Sequence, residues 1–400
     1  MKIFAAPLAL LILGGCSAGA DTSPNRLEYL ASGAPVYIYD RLSATPEALP
    51  TDLRVGVAEG PDEYMLGDIR SVDVDGDGNI YVFDAQAMMV RVFDGAGRYL
   101  RTIASQGMGP GEITRGTGIQ IAGDTTLWIQ DPGRYAMTAV ALDGGGEVAT
   151  APMPIRRFGY VWDGGVDGAG RVWQPSNRNL DPHEGLAPTE SGPLKSEVVN
   201  FVVRRDLFGD TLDTLDLAVS EVQSYAVIQN RGFSMYQVPF SPAWTVRVAQ
   251  SGDTWHANTS TYRLAGVSPV GDTLVVIQVD QPADRVTDED AREVRERMAE
   301  AGQQYVNIGS EIAALMPEYK PLLLGFWLDH EGRVWVRVGS DQEAPARFDV
   351  FESDGSYLKS VLLDEVMPPY LNPSIRGGRL YGITTDSLGA PVVFRTAELD

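Results

Sequence analysis

The sequence predicts an all-β fold, a six-bladed β-propeller with N-terminal strand closure and a short helical insertion. Three observations predict it. First, six strand-like segments each carry one aromatic residue just after a tight-turn signature: Tyr81, Trp128, Trp173, Trp255, Trp335 and Tyr381. The steps between them are 47, 45, 82, 80 and 46 residues. A period of about 45 with four short strands per repeat is the sequence signature of a propeller blade, and each long step holds an ordinary step plus an insertion. Second, Gly60-Pro61-Asp62-Glu63 recurs 49 residues later as Gly109-Pro110-Gly111-Glu112, the segment that joins the first repeat to the second. Third, the last repeat ends at residues 392–395 without a fourth strand, while residues 53–58 form a strand with no repeat of their own. Pairing these two closes the ring and removes an exposed edge.

The chain opens with Lys2, an apolar run to Leu13 and then Gly14-Gly15-Cys16-Ser17. One positive charge, a short apolar core and small residues make a secretory signal. The run is too short for a membrane span, which needs about 20 apolar residues. Leu13-Gly14-Gly15-Cys16 resembles the bacterial lipobox, so residues 1–15 read as a lipoprotein signal peptide and Cys16 as the lipidated residue. Ala18-Gly19-Ala20 offers a second cut site that would discard Cys16. The placing of the chain's only cysteine favours the first. By resemblance to other lipoproteins, Ser17 in place of Asp implies the outer membrane. Residues 16–50, rich in Ala, Ser, Thr and Pro, read as a tether, and residues 51–400 as the propeller.

In the first repeat, residues 69–74 and 80–83 flank the turn Asp75-Gly76-Asp77-Gly78-Asn79, and Asp94-Gly95-Ala96-Gly97 makes the next hairpin. The same grammar marks the others: Gly123-Asp124 before Trp128, Asp167–Gly170 before Trp173, Ser251-Gly252-Asp253 before Trp255, Asp329–Gly332 before Trp335, and Arg376-Gly377-Gly378 before Tyr381. Residues 175–196 are polar and Pro-rich and read as a long loop over one face. Residues 284–321 read as a helical insert. Thr287 and Asp290 make a capping box, Ala291, Val294, Met298 and Ala301 share one helical face, and Ser310 caps a second helix that Pro317 ends. Residues 222–238 offer a place for a seventh blade.

The lipobox, Gly107-x-Gly109-Pro110-Gly111-Glu112, the acidic insert, Asp329-x-x-Gly332-x-x-Trp335-Val336, Val350-Phe351 and Leu380-Tyr381-Gly382…Asp386 together resemble the exported six-bladed propeller lipoproteins of the NHL and TolB-like groups. The resemblance covers residues 50–400. It implies fold rather than activity.

The formal charge is −22, and −23 once residues 1–15 and Lys2 with them are removed. That charge argues against nucleic acid and suits an exported domain. Asp73, Asp75 and Asp77 with Gly78 and Ile80 resemble a calcium loop, but the flanks alternate as strands, so a hairpin turn is the stronger reading and Ca²⁺ a weak one. His183, His256 and His330 are far apart in sequence. Gly15-Cys16-Ser17-Ala18-Gly19 and Ser356-x-x-Lys359 match catalytic patterns by chance. Asp84 and Asp131 end second strands, where such residues accept backbone hydrogen bonds.

The reading is of an exported, lipid-anchored binding module for a small molecule, glycan or envelope protein, attached to the membrane through its lipid only. The alternative is a metal-dependent propeller lactonase, hydrolase or lyase, which requires a ring of acidic, Asn or His side chains at one axial mouth. Sequence spacing shows no such ring. Any ligand is expected on the face that carries the loops after second strands and between blades: residues 85–89, 106–112, 131–135, 175–196, 257–262 and 339–346. The candidate binding residues there are Arg134, Tyr135, Asn177, Arg178, His183 and Tyr262.

Overall fold

The computed structural model describes residues 23–399 apart from 44, 153–160, 182–187, 207, 230–231, 301, 303–305 and 340–343. Its strands form six separate sheets, one per predicted repeat. Blade one comprises Ile69–Val74, Ile80–Asp84, Met89–Phe93 and Tyr99–Ala104. Blade two comprises Gly118–Ala122, Thr126–Asp131, Ala136–Ala141 and Glu147–Pro152. Blade three begins with Gly165–Val166 and Val172–Asn179, blade four with Trp244–Val248 and Thr254–Asn258, blade five with Leu323–Leu328 and Val334–Val338, and blade six with Ser374–Arg376 and Arg379–Thr385. Each predicted aromatic lies in the second strand of its blade, and all six are buried.

Those aromatics fill the seams between blades. One apolar cluster joins Phe83 and Val92 of blade one to Ile121 and Leu127 of blade two. Trp128 packs against Val166 and Val172, Trp173 against Val246, Trp255 against Phe326 and Val336, and Trp335 against Ile375 and Phe394. The seam of Tyr381 and Ile383 with Val74 and Ile80 returns the ring to blade one. Each fully buried side chain of this size contributes roughly 1.5–3 kcal/mol relative to exposure.

Blades one, three and five share one turn device. The Asp six residues before the aromatic accepts two backbone N–H groups of its own turn and then the aromatic's polar hydrogen. Tyr81 donates its hydroxyl to Asp75 at 2.9 Å, and Trp173 and Trp335 donate Nε1–H to Asp167 at 2.9 Å and Asp329 at 3.1 Å. A single carboxylate thus sets the turn and fixes the ring that fills the seam.

The ring closes as expected. Thr51–Val55 pairs antiparallel with Pro391–Thr396, with Val55 opposite Val393, and supplies the fourth strand of blade six. The strand runs two or three residues earlier than the sequence placed it. The tether reading needs correction from residue 26 onward. Arg26–Tyr29 and Pro35–Tyr39 extend blade four, the second pairing parallel with Thr273–Val279, and Glu47–Leu49 pairs parallel with Tyr357–Leu363 on blade five. The segment therefore runs along the outer edges of blades four, five and six in turn, so three sheet edges gain a partner.

Blade three departs most from expectation. Residues 175–179 and 192–196 are strand, not loop, and residues 222–238 make no seventh blade. Gly192–Arg205 and Thr211–Gln229 form a long hairpin, joined by Gly232–Gln237, that extends beyond the blade. Its free end carries the helical insert. Tyr225 of the hairpin packs with Val294 of helix Asp288–Glu300 and Ile312 of helix Val306–Ala314. The capping box forms, with Thr287 N donating to Asp290 Oδ2 at 2.8 Å and Asp290 N to Thr287 Oγ1 at 3.2 Å. Ser310 does not cap. It sits inside the second helix, where its hydroxyl donates to the Val306 carbonyl one turn back.

Candidate functional site

A groove of about 1410 Å³ lies on the face carrying the joining loops. Its wall is helix Asp288–Glu300, and its floor comes from blades four to six through Phe240, Val366, Pro368, Pro369 and Tyr370. Tyr370 is 60% exposed and Val366 39%. Glu293, Glu296, Arg297 and Glu300 follow the three- and four-residue spacing that places them on one side of the helix, and all four line the groove. Glu296 lies 3.8 Å from Arg292 of the same helix, and three other carboxylates of the lining are already engaged. Asp290 binds Lys320 at 2.6 Å, Asp364 accepts from Thr51, and Glu365 pairs with Arg54. The groove therefore presents an acidic wall above an apolar, aromatic floor.

Below the groove runs the axial channel, with about 130 Å³ of free volume and lining from all six blades. Strand register sets its make-up. The residue opposite each blade aromatic is Asp73, Gln120, Gly165, Arg247, Trp327 or Ser374 in turn, and all six line the channel. Most of these polar groups fasten one blade to another. Asp73 accepts from Ile121 N at 2.6 Å and Ser374 Oγ at 2.6 Å, and Gln120 binds both backbone groups of Val166. Asn372 Oδ1 accepts from Arg247 Nη2 at 3.1 Å and Trp327 Nε1 at 3.0 Å, while its Nδ2 donates to Trp162 O. At the opposite mouth Arg376 grips Asp124 in a two-point pair at 2.6 Å, and that hydrogen-bonded guanidinium holds the Asp124 carboxyl below its usual range. Sequence spacing was read as showing no ring of acidic, Asn or His side chains at one axial mouth. The six ring positions are a mixed set, Asp, Gln, Gly, Arg, Trp and Ser, in which polar side chains converge without forming an acidic ring.

The predicted binding residues do not form one site. Tyr262 is 2% exposed and donates to Asp349 of blade five at 3.0 Å, so it is an inter-blade strut. Arg134 donates to the carbonyls of Gly109 and Glu112 and holds the joining loop. Tyr135 is exposed and occupies the turn residue with φ of 52°. Asn177 and Arg178 lie on the blade three extension, where Arg178 pairs with Asp216 at 2.8 and 2.5 Å and stacks over Phe201. His183 and Cys16 lie outside the described residues.

Asp84 and Asp131 cap loops, as expected. Asp84 accepts from Gly67, Asp68, Gln86 and Ala87 N–H groups and binds Arg91. Asp75 is engaged by Asp77 N, Asn79 and Tyr81 within a hairpin turn. Among the described residues no three His, Cys, Asp or Glu side chains gather as a metal site. His330 approaches Asp73 at 3.9 Å, and His256 is half-buried separately in blade four.

A family model described as a 6-bladed β-propeller, DUF5128, matches residues 57–137. No curated protein sequence matches the chain. A solved structure of a candidate exported protein from Bacteroides fragilis aligns with TM-score 0.50 at 8% identity, covering 91% of this chain and 100% of its own. A DUF4221 family member from Bacteroides vulgatus aligns at TM-score 0.47 and 8% identity, covering 87% and 97%. Virginiamycin B lyase from Staphylococcus aureus aligns at TM-score 0.38 and 8% identity, covering 86% and 98%. The family model supports an all-β, six-bladed propeller.

Proposed function

We propose that this chain is an exported, lipid-anchored propeller whose groove binds a ligand bearing a cationic group beside an apolar one. The observation that carries the reading is the groove itself, formed where helix Asp288–Glu300 overhangs the joining loops. Pockets that bind small molecules commonly measure about 300–1,000 Å³, so about 1410 Å³ suits a larger small molecule or a stretch of polypeptide. Glu293, Glu296 and Glu300 supply negative charge against Arg297, and Tyr370 and Phe240 supply aromatic surface. Export and anchoring rest on the signal ending at Cys16. The candidate exported protein similar to this chain is consistent with export.

Labelled basic and neutral peptides of equal length, titrated against the domain by fluorescence anisotropy, test the reading. The basic peptide should bind more tightly and should weaken with salt, as exposed charges are screened. Glu293→Gln, Glu296→Gln and Glu300→Gln combined should lower its affinity at least tenfold with the melting temperature unchanged. Equal binding of both peptides, or full affinity in the triple variant, contradicts it. The rival reading, a metal-dependent enzyme, predicts stoichiometric metal in the purified native protein.

A further inference from the structure

Arg247 stands out among the channel residues because its charge has little to answer it. Its guanidinium carries five N–H groups. One donates to the Val246 carbonyl at 2.8 Å and one to Asn372 Oδ1 at 3.1 Å. Nε is buried and has no partner. Both acceptors are neutral, and among the described residues no carboxylate lies within ion-pair distance. Trp327 lies against the guanidinium, 5.5 Å from ring centre to Cζ.

Burial pushes the Arg247 guanidinium down to about 10, with Asp163 opposing that fall, so the side chain stays cationic at neutral pH. Asp163 acts on it only from beyond ion-pair distance, and a partly buried cation that lacks a close counterion is costly. The other formal charge in the ring, Asp73, is taken up by Ile121 N, Val74 N and Ser374. Gly165 contributes no side chain at its ring position. About 130 Å³ remains, less than the roughly 300 Å³ at which pockets for drug-sized ligands begin.

We infer that the axial channel is a binding site for a small oxyanion, a carboxylate or a phosphate-sized group, seated on Arg247. Nη1 and Nη2 each keep one further N–H beyond those bonds, and paired guanidinium donors fit such groups. The site is independent of the groove. The chain's overall charge of −22 repels anions, so saturable anion binding has to arise locally.

The test is thermal unfolding of the full domain in graded inorganic phosphate and, separately, acetate, with ionic strength held constant by potassium chloride. Wild type should show a Tm that rises with the logarithm of anion concentration above Kd, about 3 °C at a hundredfold excess over Kd, with phosphate, acetate or both. Which anion acts tells the two headgroups apart. Arg247→Gln should abolish the rise. Arg247→Lys keeps the charge but loses the paired donors, and it should weaken Kd about tenfold, which decides the matter should the Gln variant fail to fold. No anion response beyond that of chloride, or an unchanged Kd in either variant, overturns the inference.

Discussion

At the scale of single residues, the six aromatics were legible because each follows a turn whose glycines and acids announce it. The channel residues were not, although a simple rule finds them. Register places Asp73, Gln120, Gly165, Arg247 and Trp327 eight residues before their aromatics and Ser374 seven before Tyr381. Nothing in their composition marks them as a set, since a mixed ring has no repeating residue type. Tyr262 misled for the opposite reason. It follows a second strand and so resembles a loop residue, yet it is buried against the next blade. Another residue makes stability depend on pH. His256 faces Trp244 inside blade four, and burial lowers it from 6.5 to about 4. Above pH 6.5 the folded and unfolded chains both hold it neutral. As pH falls from 6.5 toward 4 the unfolded chain takes up the proton first, so stability is lost across that window, up to about 3 kcal/mol. Urea unfolding at pH 7.5 and 4.5 should show this loss, and His256→Gln should reduce it. An identical loss in the variant would show that other groups account for it.

At the scale of elements, local signals were read well and non-local ones poorly. The capping box at Thr287 and the D-G hairpins depend on residues a few positions apart, and both formed. The strands of residues 26–39 pair with blade four some 240 positions away, with Val36 opposite Val276, and no turn precedes them to betray it. The long hairpin of blade three alternates exposed and half-buried positions over most of Thr211–Gln229, so it lacks the apolar face that identifies a blade strand. The closing strand was found because blade six lacked a fourth member. Deleting residues up to 60 removes Thr51–Val55 and uncovers the Pro391–Thr396 edge, along with Val55 from the seam core. The truncated protein should aggregate or lose its cooperative melt. A monomer that melts at the native temperature would contradict the closure's importance.

At the scale of the whole molecule, the propeller is a rigid ring that places joining loops on one face and hairpin turns on the other. The turns carry carboxylates bound to their own backbone, which leaves little for a ligand. The loop face carries the helical insert, the groove and the entrance side of blades four to six. The sequence expected the ligand on that face but named residues of blades two to four, because charge and aromaticity alone do not tell a side chain committed to its neighbours from one facing a cavity. Attachment belongs to this scale as well. Cys16→Ala should move the protein from the membrane to the soluble fraction or leave an uncleaved precursor, as fractionation and intact mass would show. A native protein that is soluble and begins at Asp21 would contradict lipidation.

Hydrogen–deuterium exchange of the domain with and without saturating basic peptide tests the central claim most directly, because it reports which face is covered. The account predicts slowed exchange in residues 239–243, 288–300 and 364–370, with the turns at 75–79, 167–171 and 329–333 unchanged. Protection confined to those turns, or none at all while the peptide is bound, would contradict it.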